Sequence, residues 1–188
     1  MLKLTAPIIL ASKSPRRQEL LNLMGLKFTV ELKDVDESYP ETLSAPEIAV
    51  YIAEKKAKAF IANPDQIIIT ADTIVAIKGE ILGKPKDYTE AQQMLRKLSG
   101  NKHEVYTGVS INYKGKITSF YDQTEVFCRR LNEEEIDYYI DNFKPFDKAG
   151  SYGVQDWFGL TVVERLSGSY TNVMGLPTEK LYQYLLKI

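Results

Sequence analysis

Three features of the sequence predict an α/β protein. The chain opens with an apolar run, a short polar turn and a helix started by proline. Residues 66–77 form its most apolar stretch, contain no turn residue and read as a central strand. After it, helical patterns with Thr or Asn caps are interleaved with β-rich runs joined by Lys-Gly turns.

In order, Ile8 to Leu10 reads as a buried strand, with Ser14 as a helix N-cap and Pro15 at the first helical position, where its missing N–H costs nothing. Leu20, Leu21 and Met24 recur at helical spacing and Gly25 closes that helix. A strand follows over 28–32. Ser44-Ala45-Pro46-Glu47 is a capping box for a helix running to about Ala62, with Ile48, Ala49, Ile52, Ala53, Ala59 and Phe60 on one face. Lys78-Gly79 turns the strand 66–77 back through 80–82 as a hairpin. Thr89 with Gln92 caps the next helix, which carries Met94, Leu95 and Leu98 and ends at Ser99-Gly100.

Two long strands, 104–113 and 116–130, flank a Lys114-Gly115 turn. Asn132 with Glu135 caps an acidic helix over 133–142 that Pro145 ends, and 147–155 is a loop with two glycines. Residues 159–166 read as a strand, 167–169 as a turn, and the segment after it leads into a final helix striped by Leu181, Tyr184, Leu185 and Ile188.

The chain is long enough, at 188 residues, for one domain or two closely packed lobes. A net charge of −1 provides no global field for nucleic acid, so any polyanion must be bound locally. The single Cys128 cannot form an internal disulfide, and no Cys/His cluster suggests zinc. The apolar run before Lys13 is too short for a signal peptide or a membrane span. A cytoplasmic protein without membrane contact is the expectation.

Several charged residues sit where stability alone would not put them. Arg16 and Arg17 occupy a first helical turn, the end of the helix dipole that repels cations. With Ser12, Lys13, Ser14 and unpaired backbone N–H groups they make a phosphate cradle; two solvated arginines on an ordinary capped helix is the other reading. Lys56 falls inside the apolar sector of its helix, where it must snorkel outward or meet negative charge. Asp72 interrupts the most apolar strand, and a carboxylate there needs a cation, a metal or several N–H donors. Asp34-Val35-Asp36-Glu37 is a solvated acidic turn or, if one acid faces the first motif, a source of a metal ligand. Pro85 fixes an extended backbone at Lys84, and His103, the only histidine, is read as structural.

The chain resembles the Maf family of nucleoside triphosphate pyrophosphatases over nearly its full length. The matching stretches are Ala11-Ser12-Lys13-Ser14-Pro15-Arg16-Arg17, Val35-Asp36-Glu37, Ala71-Asp72-Thr73-Ile74-Val75, Gly83-Lys84-Pro85, residues 147–155 and Asn172-Val173-Met174-Gly175-Leu176-Pro177. The resemblance implies a single Maf-like domain over 1–188, an α/β fold of the Maf/ITPase type with a twisted mixed sheet, flanking helices and two lobes around a central cleft, and a homodimer. It implies hydrolysis of the α–β phosphoanhydride of a nucleotide with a divalent cation, Mg²⁺ or Mn²⁺. Asp72 matches the acidic proton acceptor; Glu37, Lys56 and Lys84 match cleft residues; Arg16, Thr73 and Gln155 match positions tied to substrate choice. The ending Tyr152-Gly153-Val154-Gln155 is similar to the branch acting on dTTP and UTP, and Asp156-Trp157 follows where many members have glycine.

On this reading Ser12, Ser14, Arg16, Arg17, Thr73 and Gln155 bind substrate, Asp72, Lys56 and Lys84 carry the chemistry, and Glu37 with Asp72 holds the metal through oxygen, as hard ions prefer. The rival from another class is a noncatalytic nucleotide sensor or a division-linked interaction protein. Nucleic-acid binding is disfavoured by the charge balance.

Overall fold

The structure is a computed structural model that describes residues 4–60 and 65–188. Its elements run β1 (Ile8–Leu10), α1 (Pro15–Leu23), β2 (Phe28–Val30), α2 (Ala45–Lys58), β3 (Ile67–Ile77), β4 (Glu80–Leu82) and α3 (Tyr88–Leu98). They continue with β5 (Lys102–Tyr113), β6 (Lys116–Cys128), α4 (Glu133–Phe143), α5 (Trp157–Thr161), β7 (Val163–Ser167), α6 (Tyr170–Met174) and α7 (Thr178–Leu185). Two 3-10 turns, Pro145–Asp147 and Ala149–Ser151, separate α4 from α5. The strands form a seven-stranded mixed sheet in the order β2-β1-β3-β5-β6-β7, with β4 paired to β3. No helix among the described residues is long and apolar enough to cross a membrane.

The chain divides into two compact units, and β3, β5 and β6 each contribute to both. The first comprises residues 1–73, 107–122 and 175–188. In it β1 pairs in parallel with β2 and with β3, Ile8, Ile9 and Leu10 lying opposite Ile67, Ile68 and Ile69. Parallel neighbours need crossover connections, which α1 and α2 supply. The capping box is formed as expected, Glu47 accepting from the Ser44 N–H at 2.8 Å. Ile48, Ala49, Ile52 and Ala53 bury the inward face of α2. Gly108 of β5 makes that packing possible, since a Cβ there would lie 2.3 Å from the Ala49 carbonyl carbon. The helix ends at Lys58 with Ala59 as its C-cap, short of the expected end near Ala62.

The second unit comprises residues 74–106 and 123–174. The Lys78-Gly79 hairpin is present, both residues at positive φ (51° and 82°), which the tight turn between β3 and β4 requires. The cap of α3 differs from expectation. Asp87 accepts the Glu90 N–H at 2.8 Å and Glu90 accepts the Lys86 N–H at 2.7 Å, so the helix starts before Thr89. Gln92 faces α4, donating to Asp137.

The expected strand over 159–166 is instead the helix α5 followed by the strand β7. Phe158 and Val162, four residues apart, are both buried whereas Leu160 is 82% exposed, a helical rather than alternating pattern. Asp156 caps this helix by accepting the Phe158 N–H at 3.2 Å. His103 is buried on β5, its Nε2 2.7 Å from the Tyr152 hydroxyl. Burial lowers its pKa to about 4, which fits the structural role assigned to it.

Candidate functional site

In the first unit the pairing of β1 with β3 continues one residue past the strand, the Ala11 N–H donating to the Ile69 carbonyl at 2.9 Å. This seats the turn that follows. Ser12 is buried, and its Oγ accepts the Ser14 N–H at 3.2 Å and an Nη1 hydrogen of Arg17 at 3.1 Å. Ser14 takes the N-cap position of α1 with extended backbone and no side-chain capping bond, leaving its hydroxyl to other uses.

Arg17 is the hub of the turn. It donates from Nε to the Gly175 carbonyl at 2.8 Å, from Nη1 to the Ala71 carbonyl at 2.9 Å and from Nη2 to Thr73 Oγ1 at 3.0 Å. Thr73 Oγ1 also pairs with Thr107 Oγ1 at 3.0 Å. Gly175 adopts φ +114°, a conformation L side chains rarely take, and presents its carbonyl to the guanidinium. Burial lowers the Arg17 pKa from its ordinary value, Asp72 raises it and the neighbouring Arg16 lowers it. The resemblance implies substrate binding by both arginines; in the structure Arg17 donates to the protein groups just named. Arg16, one position earlier, is half-buried.

Lys56, in the last turn of α2, meets negative charge rather than snorkelling outward. Its Nζ lies 2.9 Å from Asp72 Oδ1 and 3.0 Å from Glu37 Oε1. The Lys56 and Asp72 side chains are 16% and 15% exposed and Glu37 is 55% exposed, so the bridge opens outward on the Glu37 side. The Arg17 bonds to Ala71 and Thr73 bracket Asp72 along β3. In the acidic turn, Asp36 is engaged locally. It accepts the Ser38 hydroxyl and N–H and lies 3.2 Å from Lys55 Nζ, and these contacts, the Ser38 hydroxyl first, hold its pKa at about 2. Glu37 is the acid of that turn that reaches Lys56. No group of three His, Cys, Asp or Glu side chains gathers for a metal among the described residues. Two carboxylates converging on one point fit a hard cation that takes its remaining oxygens from phosphate and water.

Lys84 and Gln155 belong to the second unit. Lys84 is exposed on a segment whose Gly83 carbonyl accepts the Gly150 N–H at 3.0 Å, which ties Gly83-Lys84-Pro85 to the loop over 149–155. Gly150 has φ +70°, and an added Cβ would come within 2.9 Å of Val75 Cγ1. Ser151, with φ 62°, is buried, and its hydroxyl has no hydrogen-bond partner. The Gln155 amide oxygen is likewise buried and unpartnered.

The structure thus gathers Ser12, Arg17 and Thr73 into one hydrogen-bonded group and Glu37, Lys56 and Asp72 into another, both in the first unit. The sequence did not reveal the Gly175 carbonyl or the Thr107 hydroxyl as parts of this assembly. Nor did it reveal Tyr139, whose hydroxyl contacts Asp156 and the Gly153 N–H in the second unit. A signal existed for Tyr139: it is the polar member of the buried face that α4 builds with Ile136 and Ile140.

The family model for Maf-like proteins matches residues 7–188. The dTTP/UTP pyrophosphatase of Flavobacterium psychrophilum is 51% identical over 181 residues, spanning 95% of this chain and 93% of that protein. Those of Phocaeicola vulgatus and Cytophaga hutchinsonii are 53% identical over 184 residues and 51% over 182, spanning 96% of this chain and 95% and 84% of theirs. Identity at this level across nearly the whole of both chains, on top of the family model's own match, means that the chain belongs to the Maf-like protein family.

Proposed function

We propose that this protein hydrolyses dTTP and UTP between the α and β phosphates, releasing the nucleoside monophosphate and pyrophosphate. The observation that carries the reading is the Lys56 bridge between Asp72 and Glu37, set on a strand that Arg17 pins on both sides of Asp72. Lys56 and Asp72 form a largely buried ion pair, a costly arrangement for stability alone. It is a suitable one for managing a polyanion. The names of the relatives support the same substrate class.

Glu37 and Asp72 are the residues that would hold Mg²⁺ or Mn²⁺, and the bound ion would neutralise part of the triphosphate charge. Asp72 accepts the proton of the attacking water, with Lys56 fixing the orientation of its carboxylate. Arg16 and the N–H groups at the start of α1 bind phosphate, and Lys84 offsets charge developing on the departing pyrophosphate. Gln155 reads the base. Its buried oxygen lacks a donor, and uracil and thymine carry an N3–H where cytosine has a bare ring nitrogen. A cytoplasmic homodimer completes the proposal.

Pyrophosphate release from dTTP, UTP, CTP and GTP in the presence of Mg²⁺ or Mn²⁺ tests it. The expected result is turnover of dTTP and UTP well above the other two. Binding of these nucleotides without turnover would replace the enzyme by a sensor.

A further inference from the structure

Resting on the assignment of Gln155 to the base, we propose that Tyr139 and Asp156 are positioning residues for base selectivity, holding Gln155 through the Gly153–Asp156 turn. Tyr139 comes from the middle of α4 and is 1% exposed. Its hydroxyl does two jobs. It accepts the buried Gly153 N–H at 3.0 Å, and it donates to the Asp156 carboxylate, whose oxygens both lie at 3.1 Å. One side chain therefore grips the backbone on one side of Gln155 and the neighbouring side chain on the other.

The turn itself leaves no slack. A Cβ at Gly153 would lie 2.5 Å from Asp156 Oδ2 and 3.2 Å from Gln155 Oε1, so both side chains lie over the glycine and depend on its bareness. A Cβ at Gly159 would lie 1.7 Å from the Val154 carbonyl oxygen, which fixes the backbone of the turn from the α5 side. Asp156 is anchored from that side too, accepting the Phe158 N–H at 3.2 Å. Around this group the Tyr139 ring packs on Phe143, Trp157 and Phe158, with centroids 5.3, 6.0 and 5.5 Å away.

These contacts explain how Gln155 can keep a buried amide oxygen without a protein donor. A free glutamine side chain would rotate until its polar atoms found partners or water. Here the space is set by Gly153 and Asp156, and Tyr139 keeps both in place. The amide is thereby held ready for a donor on a ligand, an instance of a binding group locked by its supporting contacts. Asp156 and Trp157 are the residues after Gln155 that meet Tyr139, one through its hydroxyl and the other through its ring.

The test compares Tyr139→Phe, Asp156→Asn and Asp156→Ala with the wild type on UTP and CTP. Tyr139→Phe keeps the ring packing and removes the hydroxyl. Losing a buried hydrogen bond of this kind should cut the UTP-over-CTP preference in kcat/KM about tenfold, mostly through a higher KM for UTP. Asp156→Asn still accepts from Tyr139 and from the Phe158 N–H and should retain most of the preference, whereas Asp156→Ala should lose it.

A Tyr139→Phe protein that melts like the wild type and discriminates UTP from CTP equally well would overturn the proposal. So would an Asp156→Ala protein with wild-type preference. If the wild type binds UTP over CTP without turnover, the enzymatic reading fails. The same variants are then compared by calorimetric binding of the two nucleotides, where loss of preference supports the positioning role and unchanged preference contradicts it. A wild type that prefers neither nucleotide in turnover or binding contradicts both.

Discussion

Arg16 and Arg17 are adjacent residues of one type in one helical turn, and their partners separate them. Successive positions on a helix point about 100° apart. That rotation sends Arg17 to Ser12, Ala71, Thr73 and Gly175. Arg17→Ala should therefore act on stability, leaving several acceptors without their donor and costing on the order of 3 kcal/mol in chemical denaturation. Arg16→Ala should raise KM and lower kcat for dTTP and UTP, and unchanged kinetics would contradict a phosphate-binding role for Arg16. The sequence could show that two cations crowd a helix start. It could not show what Arg17 meets, because that depends on carbonyls at Ala71 and Gly175, far along the chain.

His103 offers a pH test of the buried pair it forms with Tyr152. Its folded pKa is held down to about 4 by burial, below the ordinary value of about 6.5. As pH falls through 6.5 the unfolded chain takes up the proton first, so stability present above that pH is lost progressively toward pH 4. The loss is on the order of 3 kcal/mol by pH 4 and below. His103→Gln, whose amide can reach the Tyr152 hydroxyl, should lose less stability than the wild type between pH 7 and pH 4.5 in urea titrations. Equal losses in the two proteins would contradict a neutral, buried imidazole.

Whole elements were legible wherever the signal was local. The first strand, its turn and α1 follow from an apolar triplet, Ser14 and Pro15, and α2 from its capping box and inward face. The α3 start was misplaced by two residues because Asp87 and Thr89 are both competent caps, and the reciprocal Lys86–Glu90 contact decides between them. The strand expected over 159–166 begins inside α5, because a short apolar run carries too little periodicity to separate the two states. Lys56 shows the limit at the site. Its place on the apolar face of α2 revealed a conflict, while its partners Glu37 and Asp72 come from other elements that only the fold brings near.

The packing of α2 on β5 yields a prediction at the same scale. Gly108 lies opposite the Ala49 backbone, which cannot move without shifting the helix that carries Lys56. Gly108→Ala should cost about 3 kcal/mol or more by overpacking. Its residual folded fraction should show reduced pyrophosphate release, since the Lys56 ammonium would be displaced from Asp72. A fully stable and active Gly108→Ala protein would contradict the close approach.

Across the whole molecule the net charge is −1, while Lys56, Asp72 and Glu37 are paired locally. A chain so near neutrality has no global field to attract a polyanion, so the proposed substrate depends on local groups. The central claim is that Asp72, steadied by Lys56, serves the hydrolysis of a pyrimidine nucleoside triphosphate. The most direct measurement is pyrophosphate release from dTTP and UTP by the wild type and by Asp72→Asn, with circular dichroism confirming that both are folded. The prediction is turnover by the wild type and a loss of about 10²–10⁴-fold in kcat for Asp72→Asn. A folded Asp72→Asn protein that releases pyrophosphate at the wild-type rate would contradict it.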